Sequence, residues 1–326
     1  MSKNTNNVLV KRKLGKTDID ITPIGQGVMQ FAGGHTFLKF LYNKMDDNLS
    51  NRIVKTALDS GINWFDTAEA YGGGISETKL AKGLKAAKVK DEEVILATKW
   101  SPVLRRSKSV KKTISDRLKY LEPYTIDLHQ IHNQMSVSSI RKQVDAMADL
   151  YDEGKIRSVG VSNFSAKNTI LTNDILKERG LTLASNQVNY SLIHRNIESN
   201  GLLDAAKELG ITIIAWSPLQ MGVLTGIYHF DENAFKDKKY GKKIMIKRHL
   251  NKSLELMKEI DQIAKSHKVT IAQVALNWLV NYHGDTVVAI PGATKPKQAE
   301  LNGQAMNFNL TKTELNDVEE LSREFL

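Results

Sequence analysis

The sequence contains no cysteine, only six prolines in 326 residues, and no apolar run approaching 18 residues. Without cysteine there are no disulfides, no thiolate nucleophile and no thiolate zinc site. Without a long apolar run there is no candidate for a membrane-spanning helix. The opening Met-Ser-Lys-Asn-Thr-Asn-Asn lacks the apolar core and small-residue cleavage site of a signal peptide, so a cytoplasmic location is expected. The eight histidines are scattered without His-Glu-x-x-His spacing, and no metal is expected.

The composition, 41% hydrophobic and 25% charged, is that of an ordinary globular protein. A net charge of +10 would suit anionic partners. The lysines are spread along the chain, however, and the two denser stretches, Leu104–Lys112 and Lys236–Arg248, carry no nucleic-acid module. They read as solvated loops and helix starts, with attraction of a phosphorylated ligand as the other use. Neither a nucleic-acid nor a membrane partner is expected.

Along the chain, Leu9–Lys13 and Ile19–Ile21 flank the turn-rich Leu14-Gly-Lys-Thr-Asp18, a pattern for a hairpin. Eight short β-type runs follow, at Ile24–Val28, Asn63–Asp66, Val94–Lys99, Asp127–His132, Ser158–Val161, Ser185–Val188, Thr212–Trp216 and Thr286–Ile290. Helical periodicity lies between them. Asn51–Ser60 aligns Ile53, Val54, Ala57 and Leu58; Ser139–Glu153 aligns Ile140, Val144, Met147 and Leu150 and ends at Gly154; Leu202–Leu209 ends at Gly210. Eight alternating units close most naturally into a single (β/α)₈ TIM barrel over 1–326, with its active site at the C-terminal mouth. An open doubly wound sheet would need a Gly-x-Gly-x-x-Gly turn, and Gly25-Gln-Gly27-Val-Met-Gln30 lacks the third glycine. Residues 1–8 read as a flexible tail. The stretch 228–248 is too long and polar for an ordinary connection and is expected to be a mobile loop, a candidate lid.

The chemistry concentrates at strand ends. Asp66, Lys99 and His132 close the second, third and fourth runs, and Tyr71 follows five residues after Asp66, ahead of Gly72-Gly-Gly74. On a barrel this spacing brings all four to one mouth. A cation near a tyrosine favours the phenolate and lowers its pKa; Lys99 can supply the charge and Asp66 can keep Lys99 protonated. His132 can offer a ring N–H to a carbonyl oxygen. Taken singly, an aspartate cap, a snorkelling lysine, a core histidine and a packing tyrosine would be the plainer readings. Together, in this order, they are the equipment of a carbonyl reductase. His129, three residues before His132, falls on the opposite face of its strand and reads as structural.

At these residues the chain resembles the aldo-keto reductase superfamily. The resemblance rests on Asp66-Thr-Ala-Glu-Ala-Tyr-Gly72 with Ser76-Glu77, on Ala97-Thr-Lys99, and on Asp127-Leu-His-Gln-Ile-His132. Gly160-Val-Ser-Asn-Phe164, Asn186-Gln-Val-Asn-Tyr190, Ala215-Trp-Ser-Pro-Leu219 and Ile290-Pro-Gly-Ala-Thr294 extend it over nearly the whole length. It implies reduction of a small-molecule carbonyl by a nicotinamide cofactor, usually NADPH, lying extended across the mouth, with Asp66, Tyr71, Lys99 and His132 catalytic. It also implies Ser162, Asn163 and Gln187 on the carboxamide, and Trp216 stacked on the nicotinamide. Ser217, Leu219 and Gly222 would follow the pyrophosphate, with Gly27, Met29 and Asp66 toward the ribose and nicotinamide.

Gly292, Thr294, Gln298 and Asn302 resemble the adenosine end. Other branches carry arginine where Gln298 stands and glutamate where Leu301 stands, so the 2′-phosphate would fall to Lys295 or Lys297, and NADH stays open beside NADPH. Asn133 replaces a common tryptophan or aspartate and alters a pocket wall; Phe31 and Trp100 read either as further pocket walls or as plain packing residues. The branch with this last loop includes potassium-channel β-subunit-like members, so the resemblance leaves a cofactor-binding regulatory subunit as the alternative. Substrate identity and oligomeric state are not legible.

Overall fold

The structure, a computed structural model, describes residues 11–35, 42–236 and 240–326; the tail expected at 1–8 lies outside them. The chain enters through an antiparallel hairpin, β1 (Arg12–Lys13) with β2 (Asp20–Ile21), pairing Arg12 with Ile21 and Lys13 with Asp20. Its turn is closed by Leu14 N–H donating to the Ile19 carbonyl at 2.9 Å. Gly15 sits at φ +58°, and a Cβ there would fall 2.5 Å from the Ala184 carbonyl oxygen, so only glycine fits.

Eight parallel strands follow, each paired with the next in sequence: β3 (Gln26–Gly27), β4 (Trp64–Asp66), β5 (Ile95–Trp100), β6 (Leu128–Ile131), β7 (Val159–Ser162), β8 (Leu183–Asn189), β9 (Thr212–Trp216) and β10 (Val287–Ala289). The last returns to the first. Gly25 N–H donates to Ala289 O at 2.9 Å, Ala289 N–H to Pro23 O at 3.0 Å, and Gly27 N–H to Pro291 O at 3.1 Å, so the sheet closes on itself as a (β/α)₈ barrel. All eight expected runs are strands here.

The helices appear where the periodicity placed them. The first spans Asp47–Asp59, starting four residues earlier than the apolar stripe indicates because the Asp46 carboxylate accepts from Leu49 N–H and caps it. Ile53, Val54 and Ala57 are buried and Leu58 packs beside them. Ile140–Asp152 is capped by Ser139 and is followed by Gly154 at φ +66°; Leu202–Leu209 stops at Gly210, φ +67°.

Two apolar cores result. One lies between strands and helices. The other fills the barrel from its N-terminal end, where Leu14, Ile19 and Ile21 of the hairpin meet Trp64, Ala97, Leu128, Ala184, Ile214 and Val288 from inside the strands. The hairpin is therefore the barrel's floor, which leaves the opposite end for polar side chains. The stretch 228–248, expected as a loop, has secondary structure of its own: helical turns at Ile227–Phe230 and Glu232–Phe235, and a helix over Tyr240–Leu250. Buried Tyr228 lies against the Phe235 ring at 5.0 Å, and buried Ile246 adds a further apolar anchor among the lysines.

Candidate active site

Alternation along the strands decides which side chains enter the barrel. On β5, Ala97 and Lys99 point inward; on β6, Leu128 and Gln130 do, and His132 continues the same parity just past the strand end. Lys99 Nζ lies 2.5 Å from Asp66 Oδ1 and also donates to the Thr67 carbonyl at 2.8 Å; neither side chain is more than 2% exposed. The second carboxylate oxygen of Asp66 accepts from Gln187 Nε2 at 2.8 Å and Gln130 Nε2 at 3.2 Å. A buried ion pair is tolerated when its remaining lone pairs are filled, and here the two glutamines fill them. Gln187 was expected near the cofactor. Gln130 was not anticipated, although it shares a face with His132 two residues on.

Tyr71 reaches this pair from the loop after β4. Gly72, Gly73 and Gly74 are all left-handed, and a Cβ on Gly74 would fall 2.3 Å from the Tyr120 ring. The three glycines let the chain double back and set the Tyr71 ring over the mouth, with Lys99 Nζ 5.2 Å from its centroid. The His132 ring meets it edge-on at 5.7 Å, with planes at 85°. The four side chains named from the sequence thus converge.

Their electrostatics depart from expectation in one respect. Burial pushes the Tyr71 phenol up; Lys99 pulls it down, as anticipated, but does not outweigh burial, and the net direction is upward. The phenol is therefore fully protonated at neutral pH and able to donate. Burial also works against the Lys99 ammonium, but Asp66 and Tyr71 overcome it and hold its pKa above the usual lysine value. His132 is pushed down to about 3, by burial first and Lys99 second, so its imidazole is neutral. His129 is likewise down at about 3, through burial and then Arg117. It is 1% exposed and on the helix-facing side of β6, as its parity required.

This last shift has a measurable consequence. A histidine held neutral when folded takes up a proton on unfolding wherever the pH lies between its two pKa values. Its contribution to stability is complete above the unfolded value of 6.5 and is lost progressively as pH falls toward about 3. We expect His129→Gln to lose less stability than the wild type over that interval, as urea unfolding at pH 7, 5 and 4 would reveal; parallel losses would refute it.

Beside the quartet lies a polar shelf. Asn163, at φ +59°, donates from Nδ2 to the His132 carbonyl at 3.1 Å and to Ser162 Oγ at 3.0 Å; its Oδ1 accepts from Trp216 Nε1 at 3.1 Å. Ser162 Oγ in turn donates to the Gln187 carbonyl at 2.8 Å. The turn after β9 then passes through Ser217 at φ +52°, with Leu219 half-buried and Gly222 at φ +95°. Gly27 and Met29 flank the mouth on the other side, where Gly27 bridges to Gly292. Thr294, Lys295 and Gln298 form a separate group at the start of the helix Pro296–Gln304, and Asn302 lies further along the same helix. Gln298 Oε1 accepts from Thr294 N–H, Thr294 Oγ1 and Lys295 N–H. Lys297 is paired with Glu300, whereas Lys295 has no ion-pair partner among the described residues.

An extended dinucleotide suits this surface. Asn302 is 4% exposed and its Nδ2 has no partner, a buried donor that awaits an acceptor. At Gly292 the Gln30 side-chain amide occupies the place a Cβ would take, so glycine there lets Gln30 pack against the backbone. No group of histidines and carboxylates able to hold a metal occurs among the described residues, and no helix among them is long and apolar enough to cross a membrane.

A closed parallel barrel with a buried Asp–Lys pair, a tyrosine and a neutral histidine at its C-terminal mouth defines a class of oxidoreductases that act on carbonyl groups. Comparison with known proteins makes this definite: residues 23–323 match the aldo/keto reductase family model, and the chain belongs to that family. It is 32% identical to the chloroplastic pyridoxal reductase of Arabidopsis thaliana, over 96% of this chain and 86% of that protein. It is 28% identical to the NADH-specific methylglyoxal reductase of Escherichia coli K12, over 96% and 98%. Among solved structures, the thermostable aldo-keto reductase Tm1743, in complex with the inhibitor epalrestat, superimposes with a TM-score of 0.77 at 27% identity, covering 96% of this chain and 99% of that one.

Proposed function

We propose that this protein reduces aldehydes or ketones with NADPH and that Tyr71 delivers the proton to the carbonyl oxygen. The observation that carries the reading is the convergence of Tyr71, Lys99, Asp66 and His132. The nicotinamide, when bound, supplies hydride to the carbonyl carbon; everything else falls to the chain. Neutral His132 offers an N–H to the substrate oxygen and orients the carbonyl. As negative charge develops on that oxygen, the Tyr71 phenol gives up its proton, and the Lys99 ammonium stabilises the phenolate left behind. Asp66 keeps Lys99 charged and immobile. Ser162, Asn163 and Gln187 present amide and hydroxyl groups that suit a carboxamide, and Trp216 offers a flat apolar face for the ring.

Lys295 supports the preference for NADPH over NADH, because it is a cation at the N-cap of the helix Pro296–Gln304 with no ion-pair partner among the described residues. Lys295→Ala is expected to weaken NADPH binding by about tenfold, a factor worth ~1.4 kcal/mol, and to leave NADH binding alone. Quenching of tryptophan fluorescence in titrations with each cofactor would show it. Tighter binding of NADH by the wild type would reverse the assignment and align the chain with its NADH-specific relative.

A further inference from the structure

We infer that Glu69 is a positioning residue that holds the Tyr71 phenol at its working distance from Lys99, an inference that rests on the proton-donor reading above. Tyr71 has no strand beneath it. It rides on the loop 67–74, which ends in three successive left-handed glycines, and such a loop does not by itself hold a side chain in place. Glu69, two residues before Tyr71, fastens this loop to the C-terminal end of β5 at two points, Lys99 itself and Ser101 just beyond the strand. Its backbone N–H donates to the Lys99 carbonyl at 3.1 Å. Its carboxylate Oε2 accepts from the Ser101 N–H at 2.9 Å.

The other carboxylate oxygen is held from behind. Arg105 NH1 lies 2.8 Å from Glu69 Oε1 and Arg117 NH1 lies 3.4 Å from it. Arg117 Nε is 2.9 Å from Glu77 Oε2, and Glu77 Oε1 accepts from the Thr98 hydroxyl at 2.7 Å. Arg117 and Glu77 are almost completely buried, with side chains 4% and 0% exposed. The polar chain therefore runs from Ser101 through Glu69, Arg117 and Glu77 to Thr98, and its two ends grip β5 immediately before and shortly after Lys99. Buried charges on this scale are costly to keep, and these tie the tyrosine's loop to the lysine's strand. No contact of Glu69, Arg117 or Glu77 with the Tyr71 ring is needed for this, because they act on the loop that carries it.

The test compares Glu69→Ala, Glu69→Gln and Tyr71→Phe with the wild type, measuring kcat, KM and the pH dependence of kcat with NADPH and a reactive aromatic aldehyde. A misplacement of about 1 Å can cost roughly 100-fold, so Glu69→Ala is expected to lower kcat by about 10–100-fold while KM and NADPH affinity stay within about twofold. The basic limb of its kcat–pH profile should move to higher pH, because Tyr71 loses part of the influence of Lys99. Glu69→Gln, whose amide oxygen still accepts from Ser101, should recover part of kcat. If Glu69→Ala matches the wild type in kcat and pH profile, or if only its melting temperature falls, the inference is overturned while the proton-donor reading stands. If Tyr71→Phe itself keeps full turnover, that reading has failed, and the inference with it.

Discussion

Tyr71→Phe is expected to lower turnover of any carbonyl substrate by about 10²–10⁴-fold, the usual worth of a positioned general acid. The phenyl ring can keep its edge-on contact with His132 and its place near Lys99, so only the proton is lost. Folding should survive, because the hydroxyl's hydrogen-bond partner, Lys99, keeps its contacts with Asp66 and the Thr67 carbonyl. NADPH should still quench tryptophan fluorescence, since Trp216 and the shelf of Ser162 and Asn163 are untouched. Steady-state assays beside thermal melts and cofactor titrations would separate these effects. Turnover within a few-fold of the wild type in a correctly folded variant would remove Tyr71 from the mechanism.

The second large effect concerns Lys99. Lys99→Met leaves the Asp66 carboxylate buried without its cation, although Gln130 and Gln187 still donate to it. Breaking a buried pair from one side typically costs about 3–5 kcal/mol, so a marked fall in unfolding free energy should accompany loss of activity. A partner experiment distinguishes charge from packing. The double variant Asp66→Leu, Lys99→Met removes both charges, and apolar replacement of a whole buried pair is often close to neutral. It should regain much of the stability and none of the turnover. A double variant as unstable as the single one would mean that the pair's value lies in shape, not in charge compensation.

Much of this arrangement was legible before any coordinates. The punctuation of strand, helix and glycine recurs locally, and β-type runs of four to six residues signal themselves through apolar density. Asp66, Lys99 and His132 stood out because they are polar residues at the ends of such runs. Parity alone separated His132 from His129, since a side-chain period of two leaves no other choice. Gln130 obeys the same rule, but an amide inside an apolar strand has no charge to mark it out. Glu69 gave no signal: its partners Ser101, Arg105 and Arg117 lie 32, 36 and 48 positions away. In the stretch 228–248 the lysines mask the apolar anchors Tyr228 and Ile246, whose burial depends on the rest of the barrel.

By itself, then, the sequence determined the barrel class, the hairpin at its entrance and the four side chains that converge at its mouth, because all of these follow from short-range periodicity and from which residues close each strand. The tertiary structure alone decided the rest. It set the closure of β10 onto β3, the hairpin's role as floor, the glutamines that complete Asp66, the balance that leaves the Tyr71 phenol protonated, and the fastening of Glu69 around Lys99. Each depends on a distance between residues far apart in the chain or on how deeply a charge is removed from water. Neither quantity is carried by any local stretch of sequence.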